Sequence, residues 1–232
     1  MAMLFNPHLF FSDVWAILRV VPGTLLMALL VLVMSIIIGS LLSCLRMFGG
    51  RFTRRIPTLY VSYVRSMPML IHIYILFQIL QRMFPGQLLP QLVIVIIIYS
   101  FYVGASQTEN IRAALRSVDK GQFEAGYSIG MTRTQTMLRV VFPQALMVAV
   151  PIFFNTYLST IKGLALVFTV GVVDIFAQAK LLGVENFGYI EAYLAAALIY
   201  WGISIIFTFV FHYLEKYFTR QGGARGGQGT RR

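Results

Sequence analysis

The chain has 232 residues, of which 58% are hydrophobic and only 12% charged, and its mean hydropathy is +0.77. Soluble domains average about 45–50% apolar and about 25% charged residues, so a soluble globular domain is excluded and the chain reads as an integral membrane protein. Its formal charge of +11, from 19 Lys and Arg against 8 Asp and Glu, fits nucleic acid, anionic lipid or membrane orientation, and the positions of the charges decide among them.

A span of the hydrocarbon core takes roughly 20 apolar residues as a helix. Residues Pro7 to Arg19 mix apolar and polar positions and predict a short interfacial helix. They carry no basic n-region, so the N-terminus is expected to be retained. Val20 to Leu45, VVPGTLLMALLVLVMSIIIGSLLSCL, is the clearest span. A second covers Ile56 to Gln81, interrupted by Arg65 and Pro68, and Pro85-Gly86 predicts a turn. The third runs from Leu88 to Ala105 and continues as a more polar helix to Arg116. A fourth spans Val140 to Ile161, with Pro143 near its start and Pro151 inside, and a fifth Phe187 to Tyr213. Between these two, Leu164 to Phe176 is too short to cross and is expected to be re-entrant or interfacial. The Gly/Arg/Gln-rich stretch from Arg220 to Arg232 lacks the apolar residues that folding needs. The organisation expected is thus an interfacial segment 1–19, a transmembrane domain 20–215 and a disordered basic tail 216–232.

Fourteen of the 19 basic residues fall on alternate connections: Arg46, Arg51, Arg54 and Arg55; Arg112, Arg116, Lys120, Arg133 and Arg139; and Lys216, Arg220, Arg225, Arg231 and Arg232. Asp13, Arg82, Asp174, Lys180, Glu185 and Glu191 fall on the others. The fold class expected is an all-α membrane protein of about five transmembrane helices, N-terminus outside and C-terminus inside. Orientation then accounts for the charge, nucleic-acid binding loses its support, and anionic lipid remains a partner for the Arg-rich loops.

The longest cytoplasmic connection, RSVDKGQFEAGYSIGMTRTQTMLRVVFPQA, is not a plain linker. Gln122 to Ile129 predicts a short helix after the turn-prone Asp119-Lys120-Gly121, with Phe123 and Tyr127 to one side, Gly130 as its stop and Thr132 to Thr134 capping the next helix. Such a helix either lies on the bilayer surface or serves as a docking knob that transmits force from a cytoplasmic partner.

Ionisable groups at membrane depth are costly, so each polar stripe marks a site to be explained. Arg65, Met69 and His72 stand at helical spacing; so do Tyr102, Ser106 and Glu109, and Asn155, Ser159 and Lys162. Arg65 lies roughly 13 Å into its span by helix rise. It either binds a substrate carboxylate with its forked guanidinium, packs against helix carbonyls or pairs with Glu109. His72 is either a ligand contact or a core histidine, and Glu109 with Arg112 is either a surface pair or part of a route. Lys162 would sit towards the outer mouth. A phosphate-binding loop of the form G-x-x-x-x-G-K-[ST] is absent, as is any Ser-His-Asp or metal-ligand constellation.

Glu124, Ala125, Gly130, the apolar Val140 and Phe142, and Pro143, nineteen residues after the Glu, reproduce the spacing of the EAA loop (119–143) of prokaryotic ABC importer permeases. The chain departs at Gly126, where that family commonly carries a second Ala. YVRSMPMLIHIYIL resembles the F-R-G-T-P-L-L-V-Q segment of polar amino acid permeases, with Ser66-Met67 in place of Gly-Thr. TENIRAALRSVDKGQFEA is similar to their A-E-I-I-R-G-G-I-x-S-I-x-x-G-Q-x-E-A, and their K-D-T-S-L appears as Lys162-Gly163-Leu164-Ala165-Leu166. The chain therefore resembles the permease subunit of a polar amino acid ABC importer of the histidine, glutamine, arginine or cystine type, and the altered stretch after Lys162 leans towards cystine.

The resemblance implies the ABC type I importer permease fold, a bacterial cytoplasmic-membrane location and no cofactor or catalysis in this chain. ATP and Mg would be bound by two copies of a separate ATPase. A second permease chain, identical or homologous, and an extracytoplasmic amino acid binding protein complete the partners. It further implies ATPase coupling through Gln122, Glu124, Ala125, Gly126, Gly130 and Pro143, and a substrate pathway drawing on Arg65, Ser66, Met69, His72, Ser106, Glu109, Asn155, Ser159 and Lys162. A membrane anchor or sensor using the same loop is the competing expectation. A stand-alone secondary carrier is disfavoured by the small number of spans and the lack of a repeat.

Overall fold

The computed structural model describes residues 5–84 and 90–223. Among them are ten α-helices and no strand: α1 Pro7–Leu18, α2 Val21–Phe48, α3 Arg55–Ser66, α4 Met69–Met83, α5 Gln91–Arg116, α6 Lys120–Ser128, α7 Arg133–Thr136, α8 Phe142–Gly163, α9 Ile175–Asn186 and α10 Tyr189–Gly223. A π-helical turn, Met137–Val141, joins α7 to α8, and a 3-10 turn, Leu164–Val170, extends α8. The all-α membrane class expected from the composition is what the chain adopts.

Four helical runs are long and apolar enough to cross a membrane: α2, α5, the run from Arg133 to Val170, and Tyr189–Tyr213 of α10. Helices α3 and α4 make a fifth crossing only as a pair, bent by 112°. Helix α5 is the centre of the bundle and packs against α2, α3, α4 and α8. Its contact with α2 is so close that a Cβ on Gly39 would come within 2.9 Å of the Gln107 backbone. Ile73, Phe77, Ile94, Val95, Ile98, Ile161, Leu164 and Ile175 form the core around that contact, and burying each such side chain contributes about 1.5–3 kcal/mol.

Four expectations change. The second span is broken, because Pro68 holds Met67 in extended backbone (φ −113°, ψ 142°), as a residue before proline requires. Leu164 to Phe176 is no separate re-entrant element. It continues α8 as the 3-10 turn, reverses at Gly171 and enters α9, with Leu164, Val167, Val170, Val172 and Ile175 buried in the core. Helix α9 itself carries no helical apolar pattern and is not expected from the sequence. Residues 216–223, expected in the disordered tail, continue α10, since no Gly or Pro stands between Gly202 and Gly222. The expected turn at Pro85-Gly86 and the tail beyond Gly223 lie outside the described residues.

Helix α1 is held against α9 and α10 by buried Asp13 and Ile17, and it exposes Phe11, Trp15 and Leu18. Asp13 faces Glu185 and Glu191, and Glu191 accepts a hydrogen bond from the Asn6 amide at 2.6 Å. Burial first, then these two carboxylates, pushes the Asp13 carboxyl above its ordinary range. Asp174 caps α9 by accepting from the Ala177 amide at 2.9 Å, and accepts the Tyr200 hydroxyl at 3.1 Å.

Candidate functional site

The segment 119–143 is built from local capping rather than from long-range packing. Asp119 accepts from the Gly121 amide at 2.6 Å and starts α6. The helix stops at Gly130, whose φ of +80° lies in the left-handed region that suits glycine. There the Gly130 amide donates to the Tyr127 carbonyl and the Met131 amide to the Gly126 carbonyl, each at 3.0 Å. These two bonds make a Schellman stop. Two residues on, Thr132 and Gln135 form a capping box: the Gln135 amide donates to Thr132 Oγ1 at 3.3 Å, and the Thr132 amide to Gln135 Oε1 at 2.9 Å.

Phe123 anchors α6 in a small core of Val118, Val141, Ala145, Leu115 and Met137. Gln122 Oε1 accepts from Gln144 Nε2 at 3.1 Å, which ties α6 to α8. Gly126 is buried against Thr136, and a Cβ there would lie 2.6 Å from Thr136 Cγ2. The glycine that departs from the family's alanine is thus matched to a threonine ten residues later. Pro143, in the first turn of α8, has no amide to offer the helix, and the π turn immediately before it widens the backbone where that bond is missing.

This leaves Glu124 and Ala125 exposed, flanked by Tyr127 and by Ile129, which is 78% exposed. Tyr127, expected on one side with Phe123, is exposed while Phe123 packs inward, and no periodicity in so short a helix marked Ile129. Helix α6 is thereby a knob clamped at both ends to the termini of two spanning helices, α5 and α8.

At the same end of the bundle Glu109 forms ion pairs with both Arg46 of α2 and Arg112 of its own helix, each side chain about one-fifth exposed. Arg65 is not its partner. The double pair joins the ends of α2 and α5.

The polar stripes fare differently. The break at Met67-Pro68 splits the first stripe, leaving Arg65 and Ser66 exposed at the end of α3 and Met69 and His72 on α4. His72 is buried between the rings of Tyr63 and Tyr102 (centroids at 5.6 and 5.5 Å), with Nδ1 3.3 Å from the Pro68 carbonyl. Val64 packs on Ala105, so Arg65 and exposed Ser106 are chain neighbours of one contact between α3 and α5. Asn155, Ser159 and Lys162 all stand exposed along α8, Lys162 in its last turn, at the end far from Pro143. Gly163, beside it, leaves room for the Tyr99 hydroxyl. An Arg, an Asn and a Lys facing hydrocarbon would each be expensive, so each of these exposed groups is a site to be explained.

A family model for binding-protein-dependent transport system inner membrane components matches residues 35–220. The chain is 37% identical over 193 residues to the probable amino-acid ABC transporter permease protein PatM of Vibrio harveyi, covering 83% of this chain and 86% of that one. It is 37% identical over 191 residues to the L-cystine transport system permease protein TcyB of Bacillus subtilis, with 79% and 80% covered. In fold it matches a chain from the crystal structure of an amino acid ABC transporter with histidines at a TM-score of 0.85 and 23% identity, over 93% of this chain and all of that one. An exposed short helix between two spanning helices and a broken second span thus meet a family match over most of the sequence: the chain belongs to the binding-protein-dependent transport system inner membrane components.

Proposed function

We propose that this chain is one of two permease subunits of an ATP-driven importer of polar amino acids in the bacterial inner membrane. It forms half of the translocation route and is driven through α6 by a separate pair of ATPases. One observation carries the reading: Asn155, Ser159 and Lys162 are exposed along α8, whose other exposed residues are apolar, and Arg65, Ser66 and Ser106 are exposed on α3 and α5. Such a face is stable when a second permease chain and water cover it. Arg65 then offers two parallel donors to a substrate carboxylate, and Lys162 meets the same group nearer the entrance.

Glu124 and Ala125 are the contact to the ATPase, and Gly130 and Pro143 fix the angle at which α6 meets it. Charge supports the orientation. The basic residues of the α2–α3 turn, Arg112 and Arg133 gather at the α6 end, while Asp13, Glu185 and Glu191 gather where α1 meets α9 and α10. The α6 end therefore faces the cytoplasm, and an extracytoplasmic binding protein delivers substrate to the other. Among polar amino acids the cystine-type reading is favoured by the likeness to the Bacillus subtilis L-cystine permease.

Purifying the chain from its native membrane and identifying what accompanies it tests the class. An ATPase and a permease chain are expected, and an unrelated cytoplasmic protein with neither of them would favour an anchor or sensor. Arg65→Ala separates the two further: it abolishes uptake in the permease and leaves an anchor untouched.

A further inference from the structure

The turn between α2 and α3 carries more positive charge than the contacts of the fold use. From Val14 to Thr108 the sequence contains no Asp or Glu, yet Arg46, Arg51, Arg54 and Arg55 fall within ten residues of one another. Two of these are occupied. Arg46 pairs with Glu109. Arg54 closes the end of α2 by donating from Nε to the Gly49 carbonyl at 2.8 Å and from its terminal nitrogen to the Met47 carbonyl at 3.3 Å.

Arg51 and Arg55 make no ion pair among the described residues, and neither does Arg133, which opens α7. Two of these cations lie over aromatic rings instead. Arg55 stands 5.7 Å from the centroid of Phe52, and Arg133 5.7 Å from that of Phe48. Phe52 is 78% exposed, Phe48 half exposed, and Ile56 and Leu59 continue the apolar surface along α3.

The patch is therefore layered: bare rings and aliphatic side chains next to the end of a spanning helix, with guanidinium groups stacked on the rings. That matches the order of groups met on leaving a bilayer, first acyl chain and glycerol, then phosphate. A guanidinium also supplies the paired donors that a phosphate diester accepts. We propose that Arg51, Phe52, Arg55, Phe48 and Arg133 form a binding site for the headgroup of an anionic phospholipid in the leaflet on the α6 side. Arg133 directly follows Thr132, which opens the capping box closing the coupling segment, so a bound headgroup tethers that segment to the membrane surface. An acidic protein surface could meet the arginines but would leave Phe52, Ile56 and Leu59 without an apolar partner.

The test is native mass spectrometry of the intact transporter taken from nanodiscs of equimolar dioleoyl-phosphatidylglycerol and dioleoyl-phosphatidylcholine. The wild type is expected to retain phosphatidylglycerol preferentially. Each arginine removed lowers that preference about fivefold, and the Arg51→Gln/Arg55→Gln/Arg133→Gln variant by more than tenfold. Lys180→Gln, on α9, leaves it unchanged. Arg51→Gln alone removes a side chain with no hydrogen bond among the described residues, so it reports on lipid even where the triple variant fails to insert.

Equal retention of the two lipids by the wild type overturns the proposal. So does a triple variant that keeps the preference, or one that keeps the lipid but loses a co-purifying ATPase, which would make the patch a protein contact. Because the readout is bound lipid, failure of the importer reading leaves this result standing, and failure here leaves that reading standing.

Discussion

Gly126→Ala is the sharpest perturbation of α6, because two effects of opposite sign act at one atom. Alanine in a helix interior gains up to about 1 kcal/mol over glycine. Against this, the new methyl would lie 2.6 Å from Thr136 Cγ2 and 2.8 Å from its Oγ1, where carbon atoms rest at about 3.5–4.0 Å. Thr136 cannot swing away, since it is fully buried and its hydroxyl donates to the Thr132 carbonyl at 3.1 Å. Helix α6 must therefore shift, and overpacking of this kind costs about 1–3 kcal/mol. The net loss is about 1 kcal/mol, which speeds hydrogen exchange of the 121–136 amides about fivefold through local opening. Removing the obstruction reverses the sign: in a Thr136→Ala background the same Gly126→Ala change slows exchange by up to about fivefold. Exchange measured by mass spectrometry on the four proteins of the cycle decides the matter. Equal effects of Gly126→Ala in both backgrounds would rule out the close approach as the reason for the glycine.

Two further outcomes concern the charges. Glu109→Gln leaves Arg46 and Arg112 facing each other at a site about one-fifth exposed. It costs about 1–3 kcal/mol, less than for a fully buried pair, and lowers the melting temperature in nanodiscs by about 2–4 °C per kcal/mol; an unchanged melting temperature would show that the pair is idle. Asp13, raised by burial and then by Glu191 and Glu185, holds in the folded chain a proton that the unfolded chain releases near the ordinary aspartate value of about 4. Its contribution is complete below that value and is lost as pH rises through the raised one. Trp15 fluorescence during thermal unfolding, in a Trp201→Phe background, is expected to show α1 loosening with rising pH, and Asp13→Asn to abolish that dependence.

The spanning helices were legible because lipid asks for a long apolar run and nothing else: α2, the apolar part of α5, α8 and α10 are set by hydropathy alone. The ends of α6 were legible for a different reason, since Asp119, Gly130 and Thr132 act on backbone within a few residues of themselves. Distance in sequence hid the rest. The second partner of Glu109, Arg46, is 63 residues away, and the match of Gly126 to Thr136 depends on how α6 folds back on the π turn. Pro68 announced an interruption, but not the 112° angle at which α3 and α4 each pack on α5, and that angle is what removes Arg65 from the stripe of Met69 and His72. Helix α9 carries no helical apolar period and is helical because Asp174 caps it and the core buries Ile175, Ala177 and Ala179.

Whether α6 passes the work of an ATPase to a polar route in this chain is decided most directly in liposomes. The chain is reconstituted with its co-purified ATPase, second permease and binding protein, and ATP-dependent amino acid uptake is measured for the wild type and Glu124→Lys. Substrate-stimulated ATP hydrolysis and uptake are expected in the wild type, with loss of both in a Glu124→Lys transporter that still inserts and still pairs with its permease partner. Undiminished coupled uptake by Glu124→Lys would contradict a coupling role for α6.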